Sequence, residues 1–190
     1  MERLIKKATY KCIRADLIDE GQEEWLLYWL QCRIMNAGGF FILICAGALF
    51  FPLPWVLLLN LGLVFLRSKT NGLHMPTKRS CMVFSLLCEY GCLFAIQILQ
   101  TSTLTVFIMI LVLSTILIYR LAPCNNAAVH YSYDELKVAH KAVMKRLCLY
   151  DLVVLILLLL QVPSVAATLV VAETAVASLV VLAKLGVGIQ

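Results

Sequence analysis

The stretch RSKTNGLHMPTKRSC, residues 67–81, places one histidine, one cysteine and four basic residues between two long apolar runs. His74 and Cys81 are a base and a nucleophile of the types that thiol proteases use. A thiol with a free pKa of about 8.5 attacks poorly near neutrality, and an imidazole, a helix N-terminus or nearby cations favour the thiolate. The sequence supplies all three. Pro76 suits the first turn of a helix, where its missing N–H costs nothing, and Thr77 can act as a cap. Cys81 would then lie in the first or second turn, where the helix dipole favours negative charge. Lys78 and Arg79 add positive potential. Gly72 permits a conformation or approach that a side chain would hinder, and Arg67 has the fork to bind a carboxylate or carbonyl. On residue types alone a second reading stays open: a solvated loop histidine beside a small interfacial cysteine.

The elements that must position this segment are apolar. The chain has 190 residues, of which 62% are hydrophobic, well above a soluble domain. No charge falls between Ala37 and Leu66, only Glu89 between Met82 and Tyr119, and only Glu173 between Leu152 and Ala183. Such windows read as membrane spans. Breaks at Pro52 and Pro54, at QTST (100–103) and at QVPS (161–164) divide them into three hairpins and about six crossings. The first pair is expected to be short. The expected architecture is an all-α polytopic membrane protein with one domain, 1–190. Within it, residues 1–36 form an amphipathic interfacial segment, 37–66 the first hairpin, and 67–81 the loop and helix start with His74 and Cys81. Residues 82–121 form the second hairpin, 122–148 a basic loop, and 149–190 the third hairpin and tail.

Charge supports the hairpin count. The sixteen Lys and Arg residues fall outside the three outer turns, so three hairpins put every one on one side. Excess Lys and Arg marks cytoplasmic loops. The segment with His74 and Cys81 is therefore expected to be cytosolic, and the eight cysteines to be reduced thiols. The first residues lack the apolar core and cleavage site of a secretory signal. A net charge of +5 suits anionic lipid or an acidic substrate. Ser132 and Glu135 form a capping-box pattern that starts a helix in the basic loop. There Lys137, Lys141, Lys145 and Arg146 share a face, fit either to bind an acidic peptide tail or only to set topology.

Glu89 is costly inside a span; it either faces a polar path with Gln97 and Gln100 or bonds a partner helix. Glu173 carries the same ambiguity. Cys88, Cys92, His130 and His140 lack zinc-ligand spacing, so no metal or cofactor is expected. No phosphate-binding glycine loop or nucleic-acid partner is indicated.

The pattern Arg67–x4–Gly72–x–His74–x6–Cys81 resembles the accessory gene regulator B (AgrB) family. The likeness extends to chain length, the amphipathic start, the paired apolar runs and the APCN turn at 122–125. The resemblance implies a bacterial multi-pass membrane cysteine endopeptidase of quorum sensing with no cofactor. Cys81 would be the nucleophile, His74 the base, and Arg67 and Gly72 supporting residues. The implied substrate is an AgrD-like precursor peptide, cut through a thioester so that a thiolactone or lactone can close. Its acidic C-terminal tail would meet Lys141, Lys145 and Arg146. The other implied partner is membrane lipid, and a homodimer is left open. A non-catalytic peptide transporter or membrane adaptor is the alternative of a different class.

Overall fold

The structure, a computed structural model, describes residues 23–70, 72, 73, 75, 77–124 and 132–187. Its six helices are α1 (Glu23–Ala48), α2 (Leu53–Thr70), α3 (Lys78–Leu99), α4 (Leu104–Leu121), α5 (Tyr133–Leu159) and α6 (Pro163–Lys184). Residues 1–43 and 44–190 form two compact units. The described part of the first unit is α1 as far as Leu43. The second unit holds the end of α1 and the other five helices.

The three outer breaks fall where the sequence places them, each for a local reason. Pro52 precedes α2, and Pro54 is its second residue, where no intrahelical N–H donor is needed. Between α3 and α4, the Thr101 and Ser102 amides close on the Ile98 and Leu99 carbonyls. Between α5 and α6, Gln161 takes φ 56°, and the Gln161 and Val162 amides donate to Leu158 and Leu157 carbonyls. That is a Schellman cap with Gln at a position glycine favours. Gly186, at φ 78°, ends α6 by the same pattern.

Helix lengths differ from expectation. No break separates residues 36 and 37, because α1 runs on through them for 26 residues. Helix α2 reaches Thr70 and has 18 residues, about 27 Å, so it is longer than the short span expected. Helix α5 starts at Tyr133 and carries the basic-loop residues and the apolar run in one 27-residue helix. Among the described residues three helices are long and apolar enough to cross a membrane: Arg79–Leu99, Leu104–Leu121 and Pro163–Lys184. Helices α2 and α5 bring basic residues into the same rods as their apolar runs. The amphipathic segment expected at the start lies outside the described residues up to position 22.

Helix α6 is the centre of the second unit. It packs against α2, α3, α4 and α5, and 67% of its apolar window is buried, against 22% for α3 and for α4. Small residues allow this. Ala166, Ala167, Ala172 and Ala177 are all buried, and Gly62 of α2 comes against Ala172.

Candidate active site around Cys81

Three hydrogen bonds and one glycine conformation shape the segment between α2 and α3. Arg67, in the last turn of α2, donates from Nη2 to the Leu73 carbonyl at 2.8 Å, which folds the chain back over its own helix end. Gly72 takes φ 140°. A Cβ there would meet Leu179 at 3.8 Å, an ordinary contact, so the backbone conformation rather than space demands glycine. Leu73 is buried behind it. Thr77 then starts α3 with a capping box: the Ser80 amide donates to Thr77 Oγ1 at 3.1 Å and the Thr77 amide to Ser80 Oγ at 3.2 Å. The helix thus begins at Lys78, with Thr77 as its cap.

Cys81 is the fourth residue of α3, and its amide donates to the Thr77 carbonyl at 3.0 Å. Its thiol is free and half-buried. The Arg67 guanidinium lies within electrostatic range of Cys81 and of Cys88. Those two thiols are seven residues apart and share one face of α3. A cation and a helix start thus lie near the thiol. His74 lies outside the described residues, as do Asn71 and Pro76.

Neighbouring helices hold this segment from behind. The Cys124 amide donates to the Thr70 carbonyl at 3.2 Å, and its thiol lies 3.5 Å from the Leu121 carbonyl and 3.8 Å from the Val180 carbonyl. Burial pushes the Cys124 thiol up, against a smaller opposite pull from Lys184; Cys124 is a packing group, unlike the accessible Cys81. His140 Nδ1 lies 2.9 Å from the Ala122 carbonyl, with the Tyr119 ring edge-on at 5.7 Å. Arg146 donates from Nη1 to the Phe65 carbonyl at 2.8 Å and to Ser68 Oγ, and lies over the Phe65 ring. Arg146 thus anchors the end of α2, while Lys141 and Lys145 stay exposed on α5.

Glu89 is bonded to a partner helix: Asn60 of α2 donates to its Oε1 at 2.7 Å. Of the two glutamines suggested for a path, Gln97 is exposed and Gln100 half-buried. Asp151 was not singled out in the sequence, because it stands one residue before the apolar window; it meets Glu173. Among the described residues no group of three His, Cys, Asp or Glu side chains is placed to hold a metal ion.

The family described as accessory gene regulator B matches residues 5–185, which includes every element described above. The chain belongs to the AgrB family. Protein FsrB of Enterococcus faecalis is 25% identical over 130 residues, 68% of this chain and 54% of that protein. The match to this curated relative thus spans about half of the relative's length. No solved structure matches the chain. Of the constellation Arg67, Gly72, His74 and Cys81, the described residues are Arg67, Gly72 and Cys81. His74 completes it in sequence only.

Proposed function

We propose that this AgrB-family chain is a membrane cysteine endopeptidase that processes a quorum-sensing precursor peptide. The observation that best supports this is Cys81: a free thiol in the capped first turn of a long apolar helix, within electrostatic range of Arg67. His74 takes the Cys81 S–H proton. The thiolate attacks the carbonyl at the end of the signal sequence. The C–N bond breaks, the proton passes from His74 to the leaving amine, and the C-terminal tail departs. The signal segment is left as a thioester on Cys81. A Cys thiol or Ser hydroxyl of that segment then attacks the thioester, the bond to Cys81 breaks, and a thiolactone or lactone closes. Exchange between thioesters conserves activation and needs no nucleotide. Arg67 and Gly72 act as positioning residues that fix the segment leading to Cys81.

In this reading the six helices cross the membrane as three hairpins and the Cys81 end faces the cytosol. Lys141 and Lys145 draw in the acidic tail, and Arg146 acts through α2. The deciding experiment uses the purified protein in nanodiscs with a synthetic precursor bearing an amphipathic leader and an acidic tail. Cys81→Ser is expected to abolish cleavage and the alkali-labile thioester adduct while precursor binding is retained. Undiminished cleavage by that variant would sink the peptidase reading. A wild type that binds the precursor without ever cutting it would favour a transporter or adaptor.

A further inference from the structure

Away from the thiol segment, three polar side chains from three helices meet inside the bundle: Thr115 of α4, Asp151 of α5 and Glu173 of α6. Thr115 Oγ1 lies 3.0 Å from Glu173 Oε1, 3.3 Å from Asp151 Oδ2 and 2.8 Å from the Leu111 carbonyl. One oxygen of each carboxyl thus contacts the same hydroxyl. Glu173 is 0% exposed and Asp151 is half-buried. Two oxygens in the cluster, Asp151 Oδ1 and Glu173 Oε2, are buried and have no hydrogen-bond partner.

Counting protons shows what is missing. An ionised carboxylate only accepts hydrogen bonds. Thr115 supplies one hydroxyl proton and faces three acceptors. Asp151 Oδ1 and Glu173 Oε2 are left with no donor. The cluster closes only if at least one carboxyl is protonated. Charge repulsion gives the same answer, since two carboxylates sharing one apolar site do not both ionise. Among the described residues the polar neighbours supply no cation. Tyr150 of α5 donates to the Leu169 carbonyl at 2.9 Å, and Ser114 of α4 pairs with Thr174 of α6 at 3.0 Å. Helices α2 and α3 also pack on α6, but Arg67 is held by the Leu73 carbonyl and Glu89 by Asn60.

We infer that Asp151, Glu173 and Thr115 form an intramembrane proton-binding site, in which the two carboxyls hold one exchangeable proton between them. Asp151 is the side that reaches the surface, and Glu173 is the fully enclosed side. The loaded pair carries a single negative charge spread over the two carboxyls, with Thr115 bridging them. Losing the proton would leave two like charges between α5 and α6. The site itself exists whether or not Cys81 is a nucleophile.

Infrared spectroscopy of the protein in nanodiscs tests this directly. At neutral pH a protonated-carboxyl C=O band is expected that shifts in heavy water and disappears on alkaline titration. It should persist in Glu89→Gln, be lost in the Asp151→Asn/Glu173→Gln double variant, and change its titration midpoint in either single variant. Absence of the band in wild type, or its survival in the double variant, would overturn the site. Loss of the band on replacing choline chloride with sodium chloride at constant pH would mean a metal-cation site, which also overturns it. Should the double variant not fold, carbon-13 labelling of glutamate in Glu89→Gln assigns the band: an isotope shift supports Glu173 as a proton carrier, and no shift in either glutamate- or aspartate-labelled protein refutes the pair.

Discussion

At the scale of single residues, the candidate site depends on groups whose partners are backbone atoms. Gly72 is the sharpest case. Its φ of 140° disfavours any side chain, at a cost of about 1–3 kcal/mol. Gly72→Ala is expected to lower the unfolding midpoint in detergent and to slow precursor cleavage. Gly91→Ala is the control, because nothing lies within 4 Å of a Cβ at that helical position. There the change should be neutral or stabilising by up to about 1 kcal/mol. Equal effects of the two changes would remove the conformational argument. Cys81, Arg67 and Gly72 were legible because chemistry names them by type. The partners were not: Arg67 bonds the Leu73 carbonyl and Arg146 the Phe65 carbonyl, and a carbonyl leaves no mark on a sequence. For that reason Arg146 looked like part of a substrate face together with Lys141 and Lys145. A Lys141→Gln/Lys145→Gln pair should weaken binding of an acidic-tailed precursor, measured by fluorescence anisotropy in neutral-lipid nanodiscs. The difference from wild type should shrink as salt screens the attraction, and turnover of bound precursor should change little. Equal affinities at low and high salt would reduce the lysines to topology signals.

At the scale of elements, the punctuation was readable and the run lengths were less so. Prolines and short polar runs marked all three outer turns. Ser132 and Glu135 announced the start of α5, and both halves of that capping box are present. The box at Thr77 and Ser80 was harder to see, because serine replaces the usual Glu or Gln at its third position. Helix ends that carry charge were cut too short, since a hydropathy window stops at the first Lys or Asp while the hydrogen-bonded helix continues. Asp151 was overlooked for the same reason. The caps give two tests. Glu135 accepts the Ser132 amide at 2.8 Å, and the Ser132 hydrogen bonds hold its carboxyl below the ordinary glutamate range. A depressed carboxyl stabilises the folded form above its unfolded pKa, and that support is lost as pH falls through the folded value. Hydrogen exchange in the first turn of α5 should therefore quicken on acidification. In Glu135→Gln, which keeps an acceptor without a titratable group, this pH dependence should be flattened. At the other end of α5, Gln161→Gly should relieve a left-handed residue and raise stability by about 1 kcal/mol. A fall in unfolding midpoint would refute that account.

At the scale of the whole molecule, charge decides the proposed topology. Single cysteines at positions 68, 102 and 132 in an otherwise cysteine-free chain should respond differently to an impermeant maleimide on intact cells. Only position 102 should react, and labelling at 68 from outside would end the cytosolic assignment of Cys81. The buried position of α6 has a further consequence, which concerns the order of synthesis. Helices α2 to α5 leave the ribosome before the one they all pack against. Until α6 arrives, Thr115 and Asp151 stand in a half-built bundle without Glu173. The nascent chain must then keep those groups near water or shielded by the insertion machinery. Insertion of α6 would be the event that closes the bundle, so assembly of this chain is timed by its last described helix.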